Sequence, residues 1–406
     1  MRQHLIKFKN EFSLILTVHS FYFLFILFLA FYIFQSDLLS SLWGDTNDSF
    51  RYITNMLNPT SPPHPYHLLG TNFHYLVIYI PLSLFFPSNF AITLAILLIQ
   101  FIASLLSLYL LYFLFKDFFH LTPRKSLLLV FILYFIIISP YLLHATSEVL
   151  FLFYQLLAWT LLIQRRFFSA ALVASITFAL RFNGAFFVLG FFIIIISEWW
   201  KNKLMDSRTI IYGSIGAILM FFIGFISFIV SWFSTGDFWL PLTSQSEVYR
   251  IYQGDQANVI LSIPFFWWFG YIKWALASNS LMEILLLVSC IATLILGIIS
   301  LVRLYHVSSR NVFNPENGIN PVYAKQMMII YLCAFLGLNT IASVNNFARL
   351  ICFTFPIFPI FPFFLEKRKI SSLKQIIIIT MSFILGLAIN IFLWLSYLGT
   401  PPFIWT

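Results

Sequence analysis

The chain has 406 residues, of which 61% are hydrophobic, 20% aromatic and only 9% charged. With a mean hydropathy of +0.92, it has too little polar surface for a water-soluble fold, where about a quarter of residues are charged, and too many aromatics for a disordered chain. The net charge of +9 does not point to nucleic acid, because the longest basic run, Lys367-Arg368-Lys369, and the shorter clusters all abut apolar stretches, as the positive-inside rule requires of a membrane protein.

Unbroken apolar runs such as Phe21 to Phe34 and Leu127 to Ser139 exclude the alternation of a transmembrane β-barrel. The spans are therefore helices. A basic N-terminus leads directly into the first apolar run with no small-residue cleavage site, which reads as an uncleaved span. Further basic clusters follow at Lys116/Arg124/Lys125, Arg165/Arg166, Lys201/Lys203/Arg208, Arg303/Arg310/Lys325 and Lys367/Arg368/Lys369/Lys374. Placing all of them in the cytoplasm accounts for about 18 of the 23 basic residues.

The helices then fall at roughly 12–34, 90–115, 126–143, 147–163, 167–182, 184–200, 209–233, 281–302, 325–343, 348–365 and 374–395, about eleven crossings of about 20 residues each. The expected fold class is all-α and polytopic, one membrane domain with its N-terminus cytoplasmic and its C-terminus outside. The membrane would be the plasma membrane in a prokaryote and the ER membrane in a eukaryote. Residues 74–87 and 258–279 are apolar but would break the charge rule as spans. Their Pro, Trp and Tyr content reads as helices lying at the outer interface. Two outer elements result, 35–89 with juxtamembrane helices and 234–280. Cys290, Cys333 and Cys352 lie in apolar runs and read as reduced core residues.

Five basic residues remain outside: Arg51, Arg181, Arg250, Lys273 and Arg349. Arg181 and Arg349 stand at the ends of spans, where a charge is costly unless paired or functional. In the first outer element Asp45 and Asp48 are one helical turn apart, with Arg51 and Tyr52 beside them. A carboxylate in such a partly dry setting can act as a general base; either Asp could equally cap a short helix. His64, His67 and His74 lie in the same element, but Pro63 and Pro65 prevent a regular helix from presenting a His pair, and no further metal ligands are evident. Ser147-Glu148 opens a span, which fits a Ser cap with an acid at the helix N-terminus or a polar contact at the outer face. Arg181-Phe182-Asn183-Gly184 reads as a tight turn. Arg349 precedes a span interrupted by Pro356, Pro359 and Pro362. One Asp, one Glu and two Arg on one side of the membrane suit an anionic lipid, since Arg binds phosphate in a bidentate fork.

These residues resemble the PIG-V-like mannosyltransferase family, the glycosylphosphatidylinositol mannosyltransferase II group of the GT-C (C-type) glycosyltransferases. Asp48, Ser49 and Tyr52 match its first-loop pattern, with Asn47 where the family has Trp. Ser147-Glu148-Val149-Leu150-Phe151, Arg181-Phe182-Asn183-Gly184, and Arg349 with Phe355-Pro356-Ile357-Phe358-Pro359 follow in the family's order. The resemblance implies a GT-C-type fold and transfer of a hexose, mannose above all, from a polyprenyl-phosphate donor on the non-cytosolic face, with inversion. It implies Asp48 as general base and Arg181 and Arg349 as ligands of the donor phosphate. Asp45, Tyr52, Ser147, Glu148 and Asn183 would contact substrate or order the loops. The partners are the lipid-linked donor, a glycan, glycolipid or protein acceptor, and membrane lipids, with no nucleic acid. The donor is already activated, so no cofactor is called for, and no divalent metal is supported by the residues. The rival class is a polytopic transporter or flippase of a lipid-linked or small amphipathic substrate. Transporters carry internal repeats and mid-span polar sites, whereas here no matching halves are seen and the charges gather at the outer ends.

Overall fold

A computed structural model describes residues 2–34, 69–143, 147–181, 184–202, 218–219, 221–240, 272, 276, 281–309, 321–340 and 370–399. Among them there is helix and turn but no strand. The helices are α1 (Arg2–Phe34), α2 (Leu69–Ser83), α3 (Ser88–Phe113), α4 (Pro123–Leu133), α5 (Glu148–Ile163), α6 (Phe167–Leu180), α7 (Gly184–Asn202), α8 (Ile226–Thr235), α9 (Leu281–Ser308), α10 (Pro321–Thr340) and α11 (Ser372–Gly399). A π-helical turn, Leu114–Phe118, extends α3; another, Tyr134–Ile138, extends α4 into a 3-10 turn at Ser139–Tyr141.

Among the described residues, four stretches are long and apolar enough to cross a membrane: Asn10–Tyr32, Ser88–Phe118, Pro123–Tyr141 and Ser372–Ile391. Helix is described over part or all of each expected span except 348–365, which lies outside the described residues. Several of these helices fall short of the roughly 20 residues a crossing needs: α5 has 16 and α6 has 14. The expected span at 209–233 is broken by a turn at Phe225, and α8 proper begins at Ile226.

Contacts between helices fix the direction of several of them. Glu11 pairs with Lys116 at 3.7 Å, and His19 bonds Phe101 and Ser104, so α1 and α3 are antiparallel. Phe118 meets both Trp159 and Tyr323, and the Tyr323 hydroxyl reaches the Ile163 carbonyl. The end of α3, the end of α5 and the start of α10 therefore share one end of the bundle. Asn390 bonds Ser139, while a Cβ on Gly386 would lie 2.2 Å from the Phe135 carbonyl oxygen. Both pairs keep the same offset, so α11 runs parallel to α4, and Lys374 lies level with the start of α4. Lys116, Arg124, Lys125, Arg165, Arg166, Lys325 and Lys374 thus gather at a single end, in the arrangement the charge pattern requires.

The core is aromatic, with Trp159, Tyr22, Tyr112, Tyr134, Phe151 and Phe191 among its largest fully buried side chains. Position in the bundle follows burial. The apolar window of the α4 span is 61% buried, that of α11 only 11%. Leu373, Ile376, Met381 and Ile384 stand exposed along α11, a surface suited to lipid rather than water.

Helix α2 overlaps the stretch 74–87 expected as an interfacial helix. It is joined to α3 by a turn at Leu84–Pro87 and folds back along it, with Tyr75 and Tyr79 buried. Gln100 on α3 donates to the Tyr75 hydroxyl at 3.0 Å, which holds the two helices antiparallel. Its buried face, Tyr75 and Tyr79 one turn apart, packs against the bundle, and 15 residues (about 22 Å of rise) need not make a full span. The stretch 258–279 lies outside the described residues apart from isolated positions.

Candidate functional site

The end of the bundle opposite the basic residues is built by α5 and α6. These two helices run antiparallel, joined at the basic end by Gln164–Arg166, where Arg165 takes a left-handed conformation (φ 59°). Their far ends are Glu148, the first residue of α5, and Arg181, which follows the last turn of α6 in extended conformation.

Glu148 is 1% exposed, and its Oε1 accepts a hydrogen bond from Arg181 Nη1 in a close ion pair. Each charge also sits favourably on its helix dipole, the acid at an N-terminus and the base at a C-terminus. Arg181 stays 20% exposed. The pairing answers the acid, because a carboxylate this deeply buried needs a cation beside it. Among the described residues Glu148 is the one carboxylate on Arg181. A guanidinium offers five donors, so the exposed side of the fork can take a further anion.

The turn after Arg181 explains the Gly of the motif. The Gly184 amide donates to the Arg181 carbonyl at 2.9 Å, and the Arg181 amide donates to Thr177. A Cβ on Gly184 would lie 2.2 Å from the Thr177 carbonyl carbon, so no side chain fits between the end of α6 and the start of α7. That close approach turns Arg181 back toward α5. Ser147 behaves differently from an N-cap: its hydroxyl makes no capping bond, and only its carbonyl serves the helix, accepting from Phe151 at 2.8 Å.

Ser147, Glu148 and Arg181 are thus gathered at one end, two of them in direct contact. Asp45, Asp48, Tyr52, Asn183 and Arg349 lie outside the described residues, as do His64 and His67. The third histidine of that element is on α2, where His74 Nε2 and the Tyr154 hydroxyl of α5 share a hydrogen bond of 2.6 Å. No group of three or more His, Cys, Asp or Glu that could hold a metal occurs among the described residues. Cys333 is a free thiol in α10.

A second polar feature escaped the sequence reading. Within the bundle, His19 of α1 shares a hydrogen bond with the Tyr134 hydroxyl at 2.7 Å and, through its other nitrogen, contacts the Phe101 carbonyl at 3.1 Å. Close by, Tyr22 and Asn390 converge on the Ser139 hydroxyl. This layer ties α1, α3, α4 and α11 together. Its signal was present in the chain, since an ionisable His inside an apolar run needs partners on neighbouring helices. Which helices supply them cannot be read from spacing.

Compared with known proteins, the chain matches no family model, no curated protein and no solved structure.

Proposed function

We propose that the protein is a membrane glycosyltransferase of GT-C type. It moves a hexose, mannose by its sequence resemblance, from a polyprenyl-phosphate donor to a glycan, glycolipid or protein acceptor on the non-cytosolic face. Asp48 is the general base that takes the proton of the acceptor hydroxyl as that oxygen attacks the anomeric carbon. The bond to the donor phosphate breaks on the opposite face, which inverts the anomeric centre. Arg181 and Arg349 hold the departing lipid phosphate, and Arg needs no metal to do so.

The observation that carries this reading is the buried Glu148–Arg181 pair. It fixes a guanidinium at the end of the bundle away from the basic residues, with its side chain 20% exposed. A fixed cation beside apolar helices suits a ligand with an anionic head and a hydrocarbon chain. The polar layer around His19 would be the natural site for a transporter, but both ring nitrogens of that residue are engaged in contacts between helices. That engagement favours the enzyme.

The test is Asp48→Asn in the full chain. Sugar transfer from polyprenyl-phosphate mannose should disappear, while protein level and binding of the donor persist. Full transfer by this variant would remove Asp48 from the reaction. Mass spectrometry of lipid-linked and protein-linked glycans, with and without the gene, identifies the sugar and the acceptor.

A further inference from the structure

Helix α2 bridges the two helices that carry the ion pair. It packs along α6 and also touches α8, and through His74 it reaches Tyr154 on α5 at 2.6 Å, with the rings edge-on at 5.3 Å between centroids. Helices α3 and α5 both run toward the basic end, and α2 is antiparallel to α3, so α2 is antiparallel to α5 as well. From the His74–Tyr154 contact, α5 reaches Glu148 after six residues, about 9 Å of rise. Over the same distance α2 advances from His74 to Ile80, and it continues to Ser83. The second half of α2 therefore passes the level of Glu148 and Arg181. Phe178, one turn before Arg181, packs on Phe225 and Phe228 beside α8. The end of α6 that carries Arg181 is thus flanked by α8, and the second half of α2 lies at the same level.

We infer that His74 and Tyr154 are a positioning pair that holds α2 against α5 as a wall of the lipid-phosphate site at Arg181. This rests on the reading of Arg181 as a phosphate ligand. The two residues touch no substrate; they act by setting the spacing between α2 and the Glu148–Arg181 pair. Tyr75, next in sequence and about 100° round the helix, bonds Gln100 and ties α2 to α3. The His74–Tyr154 bond then adds a polar link from α2 to α5.

The test uses the full chain in phosphatidylcholine nanodiscs, with a long-chain polyprenyl monophosphate as the probe. His74→Ala and Tyr154→Phe should each weaken binding about three- to tenfold, the effect of one hydrogen bond. His74→Gln, whose amide reaches the position of Nε2, should restore it. Wild-type affinity in His74→Ala or Tyr154→Phe, or His74→Gln as weak as His74→Ala, would overturn the inference. Tyr154→Phe keeps the ring and so decides the matter if His74→Ala does not fold. Arg181→Ala separates the two readings: if it leaves probe binding intact, the phosphate assignment itself fails. The positioning role is then read from spin labels at Leu84 and Arg165. A distance distribution that broadens in His74→Ala and Tyr154→Phe but not in His74→Gln supports it, and an unchanged distribution in all three refutes it.

Discussion

Replacing Arg181 with Met removes the cation from a carboxylate that is 1% exposed and leaves Glu148 buried without its counter-charge. Breaking a buried pair in this way costs about 3–5 kcal/mol. The reverse change, Glu148→Gln, leaves a guanidinium that is 20% exposed and can turn to water or headgroups. Its cost should be smaller, about 1–2 kcal/mol, because partial exposure screens the charge. The double variant replaces the pair by two neutral side chains of similar size and should lie within about 2 kcal/mol of the wild type. The singles together then exceed the double by a coupling of at least about 2 kcal/mol. The assay is unfolding of the full chain in mixed micelles of rising SDS fraction, followed by helical circular dichroism. If Arg181→Met is no worse than Glu148→Gln, or if the double variant equals the sum of the singles, the ion pair does not join α5 to α6 as argued.

Three further outcomes follow from the same geometry. Arg181→Ala and Arg349→Ala should each lower affinity for polyprenyl monophosphate by at least tenfold, since a charge-assisted hydrogen bond contributes about 1.5–3 kcal/mol; a native mass-spectrometric titration measures it, and normal binding by both variants would exclude the phosphate clamp. Gly184→Ala places a Cβ 2.2 Å from the Thr177 carbonyl carbon; it should destabilise the chain by about 1–3 kcal/mol and also weaken lipid-phosphate binding, because the turn that aims Arg181 must open. Asn390→Leu removes the bond from α11 to Ser139; a loss of about 1 kcal/mol in SDS unfolding is expected for one interhelical hydrogen bond in a membrane, with lipid-phosphate binding unchanged.

Much of the helix plan was legible in the chain because two periodic signals coincide. Apolar run length marks where helix must form, and the side preference of Lys and Arg marks which ends of the runs share one side. Lys116, Arg165 and Lys325 are far apart in sequence, yet the bundle brings them to one end, as their shared preference demands. Where the signals conflict, the sequence alone leaves the placement open. The stretch beginning at His74 is apolar enough to enter the bundle but too short to cross, and the charge rule, which counts only full crossings, sent it to the interface. The candidate site was legible as residue types at helix ends, Ser147, Glu148 and Arg181, but not as a bonded unit.

What the sequence determined by itself is the solvent, the helical class and the shared end of basic residues such as Lys116, Arg165 and Lys325. These depend on composition and local pattern alone. Tertiary structure decided that Glu148 and Arg181, separated by the full length of α5 and α6, meet as a buried ion pair, and that His74 joins α2 to α5. It also decided that His19 and Asn390 are fixed within the layer linking α1, α3, α4 and α11. The physical reason is the same in each case. A buried polar group must find a partner, but the partner is chosen by which helices pack together, and that choice is a property of the whole bundle.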